Sequence, residues 1–211
     1  MGRATVAALA LTLGAVLTGC SSSGQAGDDF RPATSGESES PSPTATPSTS
    51  DSASPSPPPG FGQQAENSFA VHPRRITVTG EGRVVADTLV DYMTARLAAF
   101  NAAEVDRGAL ARVARADAFN DVQSYVADLQ RTKHHTVGEV WVDVRRVRIR
   151  GGTATARSCM PNSTADADRG GRIVEQNSAP AYDVHARARE VTPGTWAIVD
   201  ISFDGVPGCP G

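Results

Sequence analysis

The chain has 211 residues, 20% charged and only 5% aromatic, with a formal net charge of −3. That length suits one domain with extensions, and the weak charge balance gives no broad electrostatic attraction for nucleic acid. The charge is also unevenly spread. Asp28, Asp29, Glu37, Glu39 and Asp51 stand against Arg31 in the stretch from Ser21 to Gly60, and Arg3 precedes them, which leaves residues 61–211 neutral.

In chain order, Met1-Gly2-Arg3 is a short positive start and Ala4 to Val16 an Ala/Leu-rich apolar run. A charged start, a short apolar run and small residues before a cleavage point define a secretory signal. The run falls short of the roughly 20 apolar residues of a transmembrane helix. Leu17-Thr18-Gly19-Cys20 resembles the lipobox of bacterial lipoproteins. The resemblance implies a signal peptide over 1–19, a lipid on Cys20, and a protein tethered to the outer face of the cell membrane.

Residues 20–68 read as a disordered spacer. Pro41-Ser42-Pro43, Pro47 and Pro55-Ser56-Pro57-Pro58-Pro59 punctuate Ser, Thr and Gly, with Phe30 the lone aromatic between Ser21 and Gly60. Such a segment buries too little apolar area to offset its ordering entropy, so it serves as a tether between anchor and domain. Three cysteines, Cys20, Cys159 and Cys209, are an awkward odd number for an exported chain. Lipidation of Cys20 leaves an even pair, and in an oxidising compartment Cys159 and Cys209 are expected to join.

Residues 69–211 hold nearly all the large apolar side chains. Val85, Leu89, Tyr92, Met93, Leu97 and Phe100 recur at helical spacing over 83–101. Asp106 reads as the cap of a short second helix carrying Leu110 and Val113, and Asp117 as the cap of a third running to Lys133. His134-His135 reads as a polar helix end. The period then changes to two. Val140, Val142 and Val144 alternate with Trp141, Asp143 and Arg145, and Val147 and Ile149 continue on the opposite parity. That switch demands a bulge near Arg145–Arg146. Gly151-Gly152 signals a tight hairpin turn. Thr153 to Met160 forms the return strand, Pro161 to Ala179 a long polar loop, and Tyr182–Arg189 and Trp196–Phe203 two further strands.

Three helices followed by a bent, four-stranded antiparallel meander give an α+β fold. With Gly151-Gly152, Thr153-Ala154-Thr155-Ala156 before Cys159, and Gly194-Thr195-Trp196-Ala197-Ile198, the order resembles the NTF2-like (cystatin-like cone) domains of actinobacterial lipoproteins. The resemblance implies a conical cavity between sheet and helices, with Tyr92, Asp143, Asp183 and His185 as candidate lining residues. Asp166-Ala167-Asp168-Arg169-Gly170-Gly171 lacks the third acid and closing Glu of a calcium loop. No phosphate loop, nucleophile elbow or zinc-protease motif is present, so no metal and no cofactor is expected. Two functions follow. One is a non-enzymatic ligand-binding or scaffolding domain in the cell envelope, whose partners are the membrane through Cys20 and a cell-wall component or small apolar ligand. The other is a small-molecule isomerase, dehydratase or cyclase with Asp143 or His185 as acid/base.

Overall fold

A computed structural model of the chain describes residues 60, 62–177 and 179–210. The signal peptide, Cys20 and most of the spacer lie outside the described residues. Ten elements follow in order: β1 (Phe69–Ile76), α1 (Glu81–Ala102), α2 (Arg107–Val113), α3 (Ala116–Thr132), β2 (His134–Arg150), β3 (Thr153–Pro161), β4 (Ala165–Asp168), β5 (Ile173–Gln176), β6 (Ala181–Thr192) and β7 (Thr195–Val206). The three expected helices are present. The expected four strands are seven, and the α+β class holds with a larger sheet.

The helices follow from local chemistry. Asp106 caps α2, its carboxylate accepting from Ala109 N–H at 2.9 Å. The expected cap of α3 is displaced: Arg115 is the capping residue, Ala116 takes φ +48°, and Asp117 lies one residue inside the first turn. Its carboxylate there still favours the positive end of the helix dipole. The apolar stripe of α1 buries Val85, Leu89, Met93 and Leu97 against the sheet, and α3 adds Val122, Val126 and Leu129.

The sheet is organised by β2, whose 17 residues serve three partners. β1 runs parallel along one edge, Phe69 opposite Gly138 and Ile76 opposite Val144. The other edge carries β3 and β4 in a single register: Asp143 faces Cys159, Val140 bridges Asn162 and Val137 faces Ala165. The stretch read as a long polar loop is therefore the far half of the hairpin. It turns at Gly170–Gly171 and returns as β5 and β6, which flank β4 and β3. β7 closes the sheet beside β6. The predicted bulge is where parity demanded it, as the β2–β3 register shifts between Val144 and Arg146. Both turn glycines have positive φ, Gly151 +50° and Gly152 +72°, as a tight hairpin of this kind requires.

Two further corrections concern segment ends. His134 and His135 open β2 opposite Asp168 and Ala167, so they end no helix. Residues 62–65, placed in the spacer by composition, run along the outer edge of β5. Gln64 bridges Arg172, and Ile173 N–H donates to Gln63 O at 2.9 Å. They cover a small second core of Val137, Ala165, Ala167 and Ile173.

The main core lies between the helices and one face of the sheet. Val140, Val142, Val144, Ala154, Ala156, Val184, Ala186, Ala188, Trp196 and Ile198 all turn inward. The small alanines on β3 and β6 let the helices approach closely. Cys159 and Cys209 are bonded, with Cα atoms 5.7 Å apart. The tail reaches Cys159 across β6, and Arg145 donates to Pro210 O at 2.7 Å.

Candidate functional site

A cavity of about 310 Å³ opens between α1, α3 and the curled inner face of the sheet. One wall comes from the α1 stripe at three- and four-residue spacing, Met93, Leu97 and Phe100. Val140 and Met160 from β2 and β3 face them, and Tyr182 and Phe203 stand at one side. The Phe100 and Tyr125 rings meet at 4.3 Å between centroids.

The polar part of the wall comes mostly from residues 162–177. Both carboxylate oxygens of Asp166 are engaged: Tyr125 OH donates to Oδ2 at 2.9 Å and Thr136 Oγ1 donates to Oδ1 at 2.7 Å. Burial, and then the neighbouring Asp166 charge, push the Tyr125 phenol well above its usual range. A second chain of bonds runs from Tyr182 OH to Asn177 Oδ1, from Asn177 Nδ2 to Thr164 Oγ1 at 2.9 Å, and from Thr164 Oγ1 to Asn162 Oδ1 at 2.8 Å. It fixes the strap that crosses the cavity floor. Gly138 permits the close approach of that strap: a Cβ there would lie 2.5 Å from Ser163 O, and φ is +101°. Among the described residues, Arg96 is the one cation of the lining, set against the carboxylates of Asp166 and Glu175. Its guanidinium lies 4.8 Å from the centre of the Phe100 ring and 4.6 Å from that of Phe203. This favours a mainly apolar guest with a polar head between Arg96 and the carboxylates.

None of the four residues proposed from sequence lines this cavity. Tyr92 is in the closed core, with no exposed surface. Its hydroxyl donates to Ala118 O at 3.2 Å and accepts from Arg96 at 3.3 Å, and burial raises its pKa. Asp143, Asp183 and His185 have the parity opposite to the core residues and occupy the outer face. Asp143 is buried there beside Cys159, its register partner, and its Oδ1 has no hydrogen-bond partner among the described residues. Asp183 and His185 form a half-exposed pair at 3.3 Å. Asp166, Asn162, Thr164 and Asn177 were missed because they fall in the stretch read as loop. The alternation Ala165-Asp166-Ala167-Asp168 was the available signal of a strand.

Among the described residues, no group of three or more His, Cys, Asp or Glu is placed to hold a metal ion. Asp166 and Asp168 have structural roles, since Asp168 Oδ1 accepts from Gly170 N–H at 2.8 Å and Arg172 N–H at 3.0 Å. These backbone bonds, Arg172's foremost, lower the Asp168 pKa. No described helix is long and apolar enough to cross a membrane.

No family model and no curated protein matches the chain. Among solved structures, the chain is similar to the intermembrane-space region of the chloroplast protein ARC6. The two share 12% identity over 61% of this chain and 100% of that one, at a TM-score of 0.49. An NTF2-like protein from Cytophaga hutchinsonii is 13% identical over 57% of this chain and 97% of its own, at 0.35. A de novo β-sheet design is 14% identical over 61% and 90%, at 0.26.

Proposed function

We propose that the chain is a lipid-anchored, extracytoplasmic binding protein of NTF2-like architecture whose inner cavity takes a small, mainly apolar amphiphile. The observation that carries this reading is the cavity wall: Met93, Leu97, Phe100, Val140 and Met160 surround a space whose charged groups, Arg96, Asp166 and Glu175, leave room for one polar head. The Asp166 carboxylate is already committed to Tyr125 and Thr136, which suits holding a shape better than moving a proton. The acid/base reading through Asp143 or His185 loses its footing, because both residues stand on the other face of the sheet.

The sequence before Cys20 supports the anchor. The Cys159–Cys209 pair supports an oxidising compartment. Native mass spectrometry of the full-length chain purified from its host membrane is the test. A retained small molecule is expected, and Leu97→Trp, which fills the cavity, should abolish it. A wild-type chain that carries nothing and is stabilised by no fatty-acid-like amphiphile defeats the ligand reading. The anchor is tested separately: Cys20→Ser should free the protein from the membrane fraction or leave it uncut, and unchanged processing and retention would rule it out.

A further inference from the structure

The outer face of the sheet gathers arginines from three strands. Arg146, Arg148 and Arg150 follow the β2 bulge with exposed side chains, as a solvated strand face would. The sheet register adds to them. Arg146 stands opposite Arg157 of β3, which stands opposite His185 of β6; Arg148 aligns with Thr155 and then Arg187; Arg150 aligns with Thr153 and then Arg189. Three strands thus place six arginines on one face. Arg187 has a loose 3.6 Å contact with Asp200, and the other five have no ion pair among the described residues. In a domain with no net charge, so concentrated a field marks one face for an anion.

This face is also shaped. A groove of about 450 Å³ runs over β3, with Arg146 and Arg148 on one wall, His185 and Arg187 on the other, Thr155 and Arg157 on its floor, and Asp200 and Ser202 of β7 beyond the second wall, where Asp200 meets Arg187. Its walls are two strand spacings apart, about 10 Å, which admits one extended chain. A flat bilayer would meet only the arginine tips and leave the floor empty. The lining holds no Phe, Tyr or Trp. Single-stranded nucleic acid depends on such rings to stack its bases. Guanidinium groups in a fork geometry, with a hydroxyl between them, match phosphate oxygens.

We infer that this groove binds a linear, base-free phosphodiester or polyphosphate chain. The site is independent of the inner cavity and of the lipid anchor.

Binding of inorganic polyphosphate to the full-length chain, followed by fluorescence anisotropy across a salt series, tests it. The logarithm of the association constant should fall with the logarithm of salt at a slope of about −2 to −4, for three to five neutralised phosphates. Replacing Arg148, Arg157 and Arg187 together by Gln should weaken binding by about tenfold or more. Replacing the exposed Arg107, Arg112 and Arg131 of the helices by Gln should not. If the first triple variant fails to fold, Arg148→Gln and Arg187→Gln singly should still weaken binding more than Arg112→Gln does. Equal losses in the groove and helix variants would overturn the proposal. So would binding of a single-stranded oligonucleotide of equal charge, or of phosphatidylglycerol vesicles, as tightly as polyphosphate.

Discussion

The two faces of the sheet are made by the same strands and differ in almost every respect. On β3 and β6 the inward residues are Ala154, Ala156, Ala186 and Ala188, while their neighbours Thr153, Thr155, Arg157, Arg187 and Arg189 point outward. The inner face is built for contact with helices and a small apolar cavity, the outer face for water and charge. Inner positions therefore govern stability, and outer positions govern what the surface meets. The division has exceptions: Trp141 is buried on the outer side, stacked on His72, and Val137 belongs to the second core under residues 62–65. Beside the disulfide, Cys159 and Asp143 are buried although they point outward, where the C-terminal tail crosses the face.

Replacing an inner residue tests the contrast most severely. Ile198, fully buried and bridged to Ala114, should cost about 2–5 kcal/mol when truncated to Ala. Arg148→Ala on the outer face should stay within about 0.5 kcal/mol. Comparable shifts in denaturation midpoint for both would erase the distinction between the faces. The exceptional corner comes next. The Cys159–Cys209 bond spans 50 residues, and losing it through Cys209→Ser should cost up to about 4 kcal/mol in the chain-entropy model. A reducing agent should lower the wild-type melting temperature and leave the variant's unchanged.

The smallest effect belongs to the cavity rim. The folded state raises the Tyr125 pKa, so it holds that proton more tightly than the unfolded chain does. The resulting stability is fully present below the unfolded value of about 10 and is lost as pH rises toward the folded one. Asp166→Asn removes a raising charge, so Tyr125 should ionise earlier in an alkaline absorbance titration. An unmoved titration would mean that burial alone sets the shift.

Much of this architecture can be read from local pattern. Helical spacing places α1, and the carboxylate of Asp106 marks α2. The reversal of parity between Val144 and Val147 predicts the bulge from chemistry alone. The strands that escape the reading are those whose burial comes from register. β4 is Ala-Asp-Ala-Asp, residues with little strand preference, ordered because Ala165 and Ala167 fall opposite Val137 and His135. β1 contains Pro73 and sits at an edge, the one place in a sheet that tolerates it. The cavity's polar wall belongs to the β4–β5 region and was lost with it. The outer groove escaped for a similar reason. Arg146, Arg148 and Arg150 are close together in sequence, but nothing local shows that Arg157, Arg187 and Arg189 stand beside them.

The bulge between Val144 and Arg146 also governs how this gene can change length. Before it, even-numbered residues of β2 face the helices; after it, odd-numbered ones do. Deleting the codon for Arg145 would remove the bulge and leave Val147 and Ile149 facing the helices, whereas deleting one codon beyond it, at Val147, would turn Arg148 and Arg150 toward the core and Ile149 to water. A one-residue insertion at the Pro193-Gly194 turn disturbs no such phase. Natural relatives should therefore vary in length at that turn, and change β2 in length at the bulge before they do so within either of its halves.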